Sequence, residues 1–497
     1  MADTAIKTEE EKKEYFETPE ELDRKCTLLA QWIRESEYMS TFTGAGISTS
    51  TGIPDYRSGY GTCLETGPGC WEKAAYKQKF KDELIKAGKP LPAAHRLPFN
   101  MTMQQARPSL THMALVELAN RNILKGIISQ NVDGLHRKSG IHPDMLAELH
   151  GNTNLEICLK CGREHMRDYR VRCAAKAKEH RTGRKCDTPG CGGDLKDTII
   201  NFGENLQPEI LDKGFIIGML SDLCICMGSS MRVNPAAQMP MGVKMKENGK
   251  LVVFNLQSTP IDMAADMIIH EKIDKIMDLL MQKLEIPIPE FRRSYRLKVS
   301  LDEKDSKRVK FTGVDSNGAC YTLFKSLKIK GLDRADAVFP SRAQAIQPFV
   351  QTMTNKNVSE IEAECTFQGH YNEPMMKLKI PMDALNAQKA LEFNMIYHVG
   401  NGKFEKVEIC HSETKDVLGL AEFSTVVQGR QPVVAAPAQP VAQRRASPAA
   451  RLGAAAASMS PKANVAANRA KSNNAVAKRR PIANAGAAIV GGKQRSG

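Results

Sequence analysis

The sequence predicts an α/β fold with a small zinc-ribbon domain inserted, an all-β accessory domain after it, and a disordered basic tail. Three observations predict this. Short apolar runs recur between residues 38 and 256, each ending in small or polar residues and alternating with helical patterns, the rhythm of an open, largely parallel sheet. Two close cysteine pairs interrupt that rhythm. From about residue 291 the pattern changes to period-two alternation, and after residue 423 it loses the side chains needed for a core.

The chain of 497 residues is long enough for two to four domains. No apolar run approaches the roughly 20 residues of a membrane-spanning helix, and the charged N-terminus MADTAIKTEEEKKEYFE lacks the apolar region of a secretory signal. Thirteen cysteines, an odd number with several in short-spaced pairs, point to a reducing compartment and metal ligation. The expectation is a soluble intracellular protein with no membrane partner. The charge is unevenly placed. Twelve lysines and arginines follow the last acidic residue, Glu422, so of the net +14 only +2 belongs to everything before. The basic character describes a tail rather than a globular surface.

Residues 1–22 are charged and aperiodic, which predicts a flexible arm. Leu22, Leu28, Leu29, Trp32 and Ile33 then fit one helical face. Tyr38–Thr43 is a candidate buried strand running into Gly44-Ala45-Gly46. A strand ending in Gly-x-Gly lets backbone N–H groups approach a pyrophosphate, although many ordinary turns share the pair. Gly52-Ile53-Pro54-Asp55-Tyr56-Arg57 is a rigid turn carrying an acid and a base, readable also as a surface salt-bridging loop. Residues 58–108 are rich in Gly, Pro and Lys and predict a long irregular binding loop. Ser109 is a candidate N-cap for an amphipathic helix reaching Asn120.

Ile123, Leu124, Ile127 and Ile128 predict the next strand, which ends in Gln130, Asn131 and Asp133. A second apolar stretch, Met145–Leu149, delivers His150 into a Gly-Asn turn. Ligands of open α/β sheets bind beyond the carboxyl ends of the strands. This cluster therefore sits where a pocket forms, and its imidazole can exchange a proton near neutral pH. Cys158-x-x-Cys161 and Cys186-x4-Cys191 follow, the pattern of four thiolates around a structural Zn2+. Cys173 lies between the pairs without a partner at knuckle spacing. Further strands are expected at Asp197–Phe202, Leu223–Met227 (ending at Gly228-Ser229-Ser230) and Lys250–Leu256, and a helix over Lys272–Leu284. The segments YRLKVSL, RVKFTGV, CYTLFKSLKI, MKLKIPM, LEFNMIYHV and KFEKVEIC predict a small β-sandwich or barrel. The expected divisions are an arm at 1–22, a catalytic domain at 23–290 with its zinc module at about 151–200, a β-rich accessory domain at 291–423 and a disordered tail at 424–497. Within the tail, Lys478-Arg479-Arg480 reads as a nuclear localisation signal, and the whole segment as a phosphate-binding arm for DNA or RNA.

Taken together, Gly44-Ala-Gly-Ile-Ser48, Gly52-Ile-Pro-Asp-Tyr-Arg57, Gln130-Asn-Val-Asp-Gly-Leu-His136, Leu149-His-Gly-Asn152, the four cysteines, Gly228-Ser-Ser230 and Asn255-Leu-Gln257 resemble the sirtuins, NAD-dependent protein lysine deacylases. Ala106–Leu118 and LKDTI at 195–199 look most like the class IV, nuclear branch with mammalian sirtuin six and seven. The resemblance covers roughly residues 25–290. It implies a Rossmann-like large domain, a zinc ribbon, and NAD plus an acyl-lysine protein, a histone for example, in the cleft between them. It further implies a reaction that releases nicotinamide and O-acyl-ADP-ribose. By the same resemblance His150 is the general base, with Asn131 and Asp133 as catalytic partners. Gly44, Ala45, Gly46, Ile53, Asp55, Tyr56, Arg57, Gln130, Asn131 and Asp133 contact the cofactor on the ribose, nicotinamide and phosphate side. Gly228, Ser229, Ser230, Asn255, Leu256, Gln257 and Ile273 hold its adenosine side. Phe202, Gly203, Glu204, Val233 and Asn234 form two edges between which the peptide adds as a strand, and the zinc is structural. Where class IV members usually continue with a Gly-Pro-rich segment after the Asp-aromatic-Arg motif, this chain has Ser58–Gly67, which bears on cofactor-loop closure and acyl preference.

Three other functions compete. Protein mono-ADP-ribosylation uses the same site. A chromatin- or nucleic-acid-binding, NAD-responsive scaffold would use the tail and the β-rich domain. A hydride-transferring dehydrogenase leaves the Asn-Asp-His cluster and the zinc knuckles unexplained. The expected location is the nucleus or nucleolus.

Overall fold

The computed structural model describes residues 8–86, 103–173, 178–186, 188, 190–330, 337–340, 349–353 and 358–426. The chain divides into two units, Met1–Pro432 and Val433–Gly497. The second unit, and with it the basic cluster at 478–480, lies outside the described residues. Among them no helix is long and apolar enough to cross a membrane.

The helices are α1 (Glu9–Lys12), α2 (Pro19–Glu35), α3 (Cys70–Lys86), α4 (Leu110–Asn120), α5 (Leu135–Ser139), α6 (Pro208–Leu220), α7 (Ile273–Lys283) and α8 (Met382–Gln388). The strands of the first part are β1 (Met39–Thr43), β2 (Leu124–Ser129), β3 (Leu146–Glu148), β4 (Leu155–Cys158), β5 (Glu164–Arg167), β6 (Arg181–Lys185), β7 (Asp194–Asp197), β8 (Leu223–Met227), β9 (Lys250–Phe254) and β10 (Met267–Ile269). Six of them form one sheet in the order β10-β9-β8-β1-β2-β3, parallel throughout. Strands β1 and β8 are buried at every position, as expected of a parallel sheet covered on both faces. On one face α2, α4 and α7 close a core of Leu29, Leu115, Leu118, Ile127, Ile276 and Leu280. On the other, α6 and the 3-10 helix Ala236–Met245 cover Phe42, Ile128, Cys226 and Val253. Each such side chain contributes roughly 2 kcal/mol by leaving water. The helix starts follow their caps: Thr18 accepts from the Glu21 amide ahead of α2, and Ser109 and His112 form a reciprocal box ahead of α4.

Three expectations are corrected here. Residues 8–22 are not a free arm. Thr8 caps α1, the Tyr15 and Glu17 amides donate to the Leu256 and His270 carbonyls at 2.8 and 2.9 Å, and α2 already begins at Pro19. Several charges of this aperiodic segment find partners on the folded body, among them Lys12 with Glu72 and Glu11 with Arg232. The expected irregular loop at 58–108 contains α3. The expected strand Asp197–Phe202 is not formed either. The strand is β7, which begins three residues earlier at Asp194 and ends at Asp197, and residues 198–201 run on without strand pairing because this stretch leaves the ribbon to line the cleft.

The β-rich part comprises β11 (Arg292–Leu301), β12 (Arg308–Val314), β13 (Cys320–Thr322), β14 (Phe324–Lys330), β15 (Ala337–Pro340), β16 (Phe349–Thr352), β17 (Glu360–Phe367), β18 (Met375–Pro381), β19 (Ala390–His398), β20 (Lys403–His411), β21 (Val417–Leu420) and β22 (Phe423–Val426). One sheet runs β15-β14-β17-β18-β22; the other runs β21-β20-β19-β11-β12-β13. Alternating burial along β11, β17 and β19 sends the inner residues of both sheets into one core, including Leu297, Phe311, Leu327, Ala363, Leu378 and Phe393. The last strand carries this module to Val426, past the expected limit at 423. It is also no separate bead: β13 pairs in parallel with β5 of the cysteine module, so its sheet continues through β5-β4-β7-β6, and Met113, Leu155 and Met166 enter its core.

Candidate active site and metal centre

The strand order reverses at β1, whose neighbours β2 and β8 lie on opposite sides. The loops beyond the carboxyl ends of β1, β2, β8 and β9 meet there around a cavity of about 1030 Å³. Gly44, Ala45, Gly46, Asp55, Tyr56, Arg57, Gln130, Asn131, His150, Gly228, Ser229, Ser230, Asn255, Leu256, Gln257 and Ile273 all line it, as do Phe202, Gly203, Glu204, Val233 and Asn234. Two expected wall residues, Ile53 and Asp133, do not line it. Asp133 is buried behind the wall, where it accepts from the Ser48 hydroxyl at 2.8 Å and the Leu135 amide at 2.9 Å, starting α5. Its carboxylate positions the turn rather than facing the cavity.

The glycines after β1 and β8 are packed backbone to backbone. A Cβ on Gly46 would lie 2.6 Å from the Gly228 Cα, and one on Gly44 would lie 2.6 Å from the Gly228 oxygen. Gly228 itself has φ +60°, a conformation costly for other residues. The helix after Gly-x-Gly is a short 3-10 turn, Ala45–Thr51. Gln130 at the cavity accepts from the Ser229 hydroxyl at 2.8 Å through Oε1, while its Nε2 is buried without a partner in the protein. A buried unpaired amide beside a polar cavity is the mark of a missing acceptor.

His150 is fixed from behind. Its Nδ1 lies 3.0 Å from the Gln130 carbonyl oxygen, and since a carbonyl only accepts, Nδ1 carries the proton and Nε2 keeps its lone pair. Burial lowers the pKa of the imidazole below its usual value, opposed by that hydrogen bond, so the ring is neutral at pH 7. The His150 carbonyl accepts from the Ile200 amide at 3.0 Å, tying the histidine to the segment leading to Phe202. Asn131 donates through Nδ2 to the Gly44 carbonyl at 3.0 Å, which joins the loops after β1 and β2. Behind them Thr43 bonds Ser129 at 3.0 Å and His136 at 2.9 Å. The rings of His136 and His112 lie 4.9 Å apart. Burial pushes both down to about 3, so this layer is uncharged.

On the cavity wall, the Arg57 guanidinium stacks over Trp71 at 4.5 Å, and Trp71 reaches Phe202 at 5.5 Å. Burial, with help from Arg232, lowers the pKa of Arg57 to about 10, which leaves it cationic at neutral pH. Asp55 is spent on its own loop, accepting from the Arg57 and Ser58 amides at 3.2 and 3.0 Å. Trp71, Leu64, Ile199 and Leu211 also line the cavity and escaped the sequence reading; the only available signal was the isolated aromatic at 71.

The sulfurs of Cys158, Cys161, Cys186 and Cys191 all lie within 4.8 Å of one another, two pairs at 3.6 and 3.7 Å. Zn–S bonds of about 2.3 Å in a tetrahedron place sulfurs about 3.8 Å apart, so this set fits zinc. Cys173 stands apart, its thiol donating to the Thr182 carbonyl at 3.1 Å.

Residues 44–235 match the model of the Sir2 family. The NAD-dependent protein deacetylase Sirt6 of Drosophila melanogaster is 33% identical over 313 residues, which is 61% of this chain and 87% of the relative. The chain belongs to the Sir2 family. The NAD-dependent protein deacetylase SRT1 of Arabidopsis thaliana is 40% identical over 299 residues, 60% of this chain and 57% of that protein. The human NAD-dependent protein deacetylase sirtuin-7 is 35% identical over 297 residues, 56% of this chain and 65% of that protein. The chain thus spans about three fifths of the length of the plant relatives.

Proposed function

We propose that this Sir2-family chain is an NAD-dependent protein lysine deacylase with His150 as its general base. The observation that carries this is the neutral imidazole of His150, held through Nδ1 at the floor of a cavity whose walls combine a glycine cradle with a two-edged cleft. The cradle and the unpaired Gln130 Nε2 suit a dinucleotide: backbone close enough for a pyrophosphate, and a donor in want of an acceptor. NAD supplies a sugar carbon bearing a nicotinamide leaving group, to which the oxygen of an acyl-lysine adds. Gly44, Gly46 and Gly228 admit the phosphates, and Arg57 offers them a cation. Asn131 keeps the two loops together, and His150 takes up a hydroxyl proton at Nε2. Phe202–Glu204 and Val233-Asn234 would hold the peptide main chain on either side. Cys158, Cys161, Cys186 and Cys191 would hold a structural Zn2+.

Histone tails in the nucleus are the proposed substrates. Three relatives are named protein deacetylases, and the tail sequence carries Lys478-Arg479-Arg480. The test is nicotinamide release from NAD in the presence of acetyl- and long-chain acyl-lysine histone peptides. Release that needs both peptide and His150 supports the reading; silence with all peptides in folded protein overturns it.

A further inference from the structure

The β-rich module contributes a half-buried carboxylate to the scaffold around His150. Arg137, on α5 just after the Gln130–His136 stretch, has a side chain only 3% exposed and is surrounded by three carboxylates. Glu148, two residues before His150 and at the end of β3, is 3.8 Å away. Glu164 of β5 is at 3.3 Å and Asp315 at 2.8 Å. Glu148 also accepts from the Nδ2 of Asn152, two residues after His150, at 2.8 Å. Arg137 and Glu148 therefore join the two limbs of the polypeptide that carry Asn131 and His150.

The distances rank the three acids. Glu148 is the longest contact at 3.8 Å, and burial raises its pKa to about 7 against the pull of Arg137, so it ties the end of β3 into the network without supplying the full counter-charge. Glu164 is about a third exposed and screened by water. Asp315 has the shortest contact and a side chain only 13% exposed. It is also rigidly held, in the β12–β13 turn closed by Gly318 N–H to the Asp315 carbonyl and Asp315 N–H to the Ala319 carbonyl, both at 2.9 Å. The same hairpin is anchored to the cysteine module through the β13–β5 pairing and the Arg167 bond to Thr322 at 2.8 Å. A buried guanidinium needs a fixed counter-charge, and here that charge comes from outside the family-matched residues 44–235.

We propose that Asp315 is a positioning residue for His150, acting through Arg137 and Glu148, and that the β-rich module is thereby a structural part of the active site. The inference rests on the deacylase reading for its kinetic consequence only. In the full chain, Asp315→Asn and Asp315→Ala are compared with wild type and with Glu422→Gln, which removes an exposed pairing to Lys379 on the other sheet. Expected for both Asp315 variants is a kcat for nicotinamide release lower by about tenfold or more, as misplacement of a reacting group produces. KM for NAD stays within about twofold, because no cofactor-facing residue is altered. Amide hydrogen exchange quickens across residues 131–152 and not across β1 or β8. The Glu422→Gln control behaves as wild type. Should Asp315→Ala not fold, the near-isosteric Asp315→Asn carries the comparison. Unchanged kcat and unchanged exchange in folded Asp315→Asn overturn the proposal, as does a loss of rate matched by the loss of folded protein. If wild type itself releases no nicotinamide, the deacylase reading fails, and the exchange at 131–152 still decides whether Asp315 orders the loop.

Discussion

Gly46→Ala isolates the role of the glycine cradle from glycine's conformational freedom, because Gly46 has ordinary backbone angles and only space is at stake. The added Cβ would stand 2.6 Å from the Gly228 Cα and 3.0 Å from its oxygen. Carbon atoms rest at about 3.5–4.0 Å, so the loops after β1 and β8 must part by about 1 Å. Both neighbours are backbone, and no flexible side chain can swing aside. Overpacking of this kind costs about 1–3 kcal/mol, and here it is relieved only by opening the cavity. A displacement of that size at a binding surface corresponds to about 10–100-fold in NAD affinity. Calorimetric titration with NAD gives the affinity, and nicotinamide release gives KM for NAD. The variant should remain folded, with a melting temperature lower by several degrees and an unchanged zinc content. A folded Gly46→Ala protein that binds NAD within twofold of wild type would refute the assignment of the cradle to the phosphates.

The remaining expectations concern the metal, the pH response and the hydroxyl layer. Metal analysis should find one zinc per chain. Cys161→Ser should lose it and, through the β13–β5 pairing, loosen the β-rich module as well, seen as faster amide exchange in β13. His180 bridges Asp197 at 3.0 Å and Glu204 at 3.1 Å, with Arg172 at 3.4 Å as the neighbouring cation. Partial burial opposes its charge, but the hydrogen bonds to Asp197 and then Glu204 win and raise its pKa. A raised folded-state pKa means the contribution is complete below the unfolded value of about 6.5 and fades as pH rises through the folded value. The loop at Phe202–Glu204 should therefore loosen on the alkaline side, raising the peptide KM; in His180→Gln the rise should disappear. Ser48→Ala removes the hydroxyl that bonds Asp133 at 2.8 Å. It should lower stability by about 1–3 kcal/mol in thermal or urea unfolding, and full wild-type stability would count against a positioning role for Asp133.

Much of the fold was legible because its strands are local and unbroken. Leu223–Met227 is apolar at every position, and Arg308–Val314 alternates as far as Gly313. The cysteine cluster was legible from spacing alone, since four thiolates at knuckle separations have few other uses. What escaped depended on contacts between distant residues. Among its described side chains helix α3 buries no continuous stripe, with Tyr76 and Phe80 both exposed, so periodicity had little to show. The first twenty residues look unstructured because their charges are scattered, yet Glu14 accepts from the Thr62 hydroxyl and the Cys63 amide across 48 and 49 residues of chain. Thr43, Ser129 and His136 lie in separate motifs, and nothing in either pattern announces that they meet beneath Asn131. Asp133 was legible as important but not in its orientation, because a carboxylate that starts a helix and one that faces a ligand look alike in sequence. Asp315 occupies an unremarkable turn, Asp-Ser-Asn-Gly, and acquires meaning only through Arg137.

The central claim is that His150 Nε2 serves as the base of an NAD-consuming reaction on acyl-lysine. It is tested most directly by measuring nicotinamide release from NAD with an acetylated histone-tail peptide, for wild type and His150→Ala side by side. The account predicts release by wild type only when peptide is present, and a rate about 100-fold or more lower in His150→Ala with NAD binding retained. Equal release by the two proteins, or release indifferent to peptide, would contradict it.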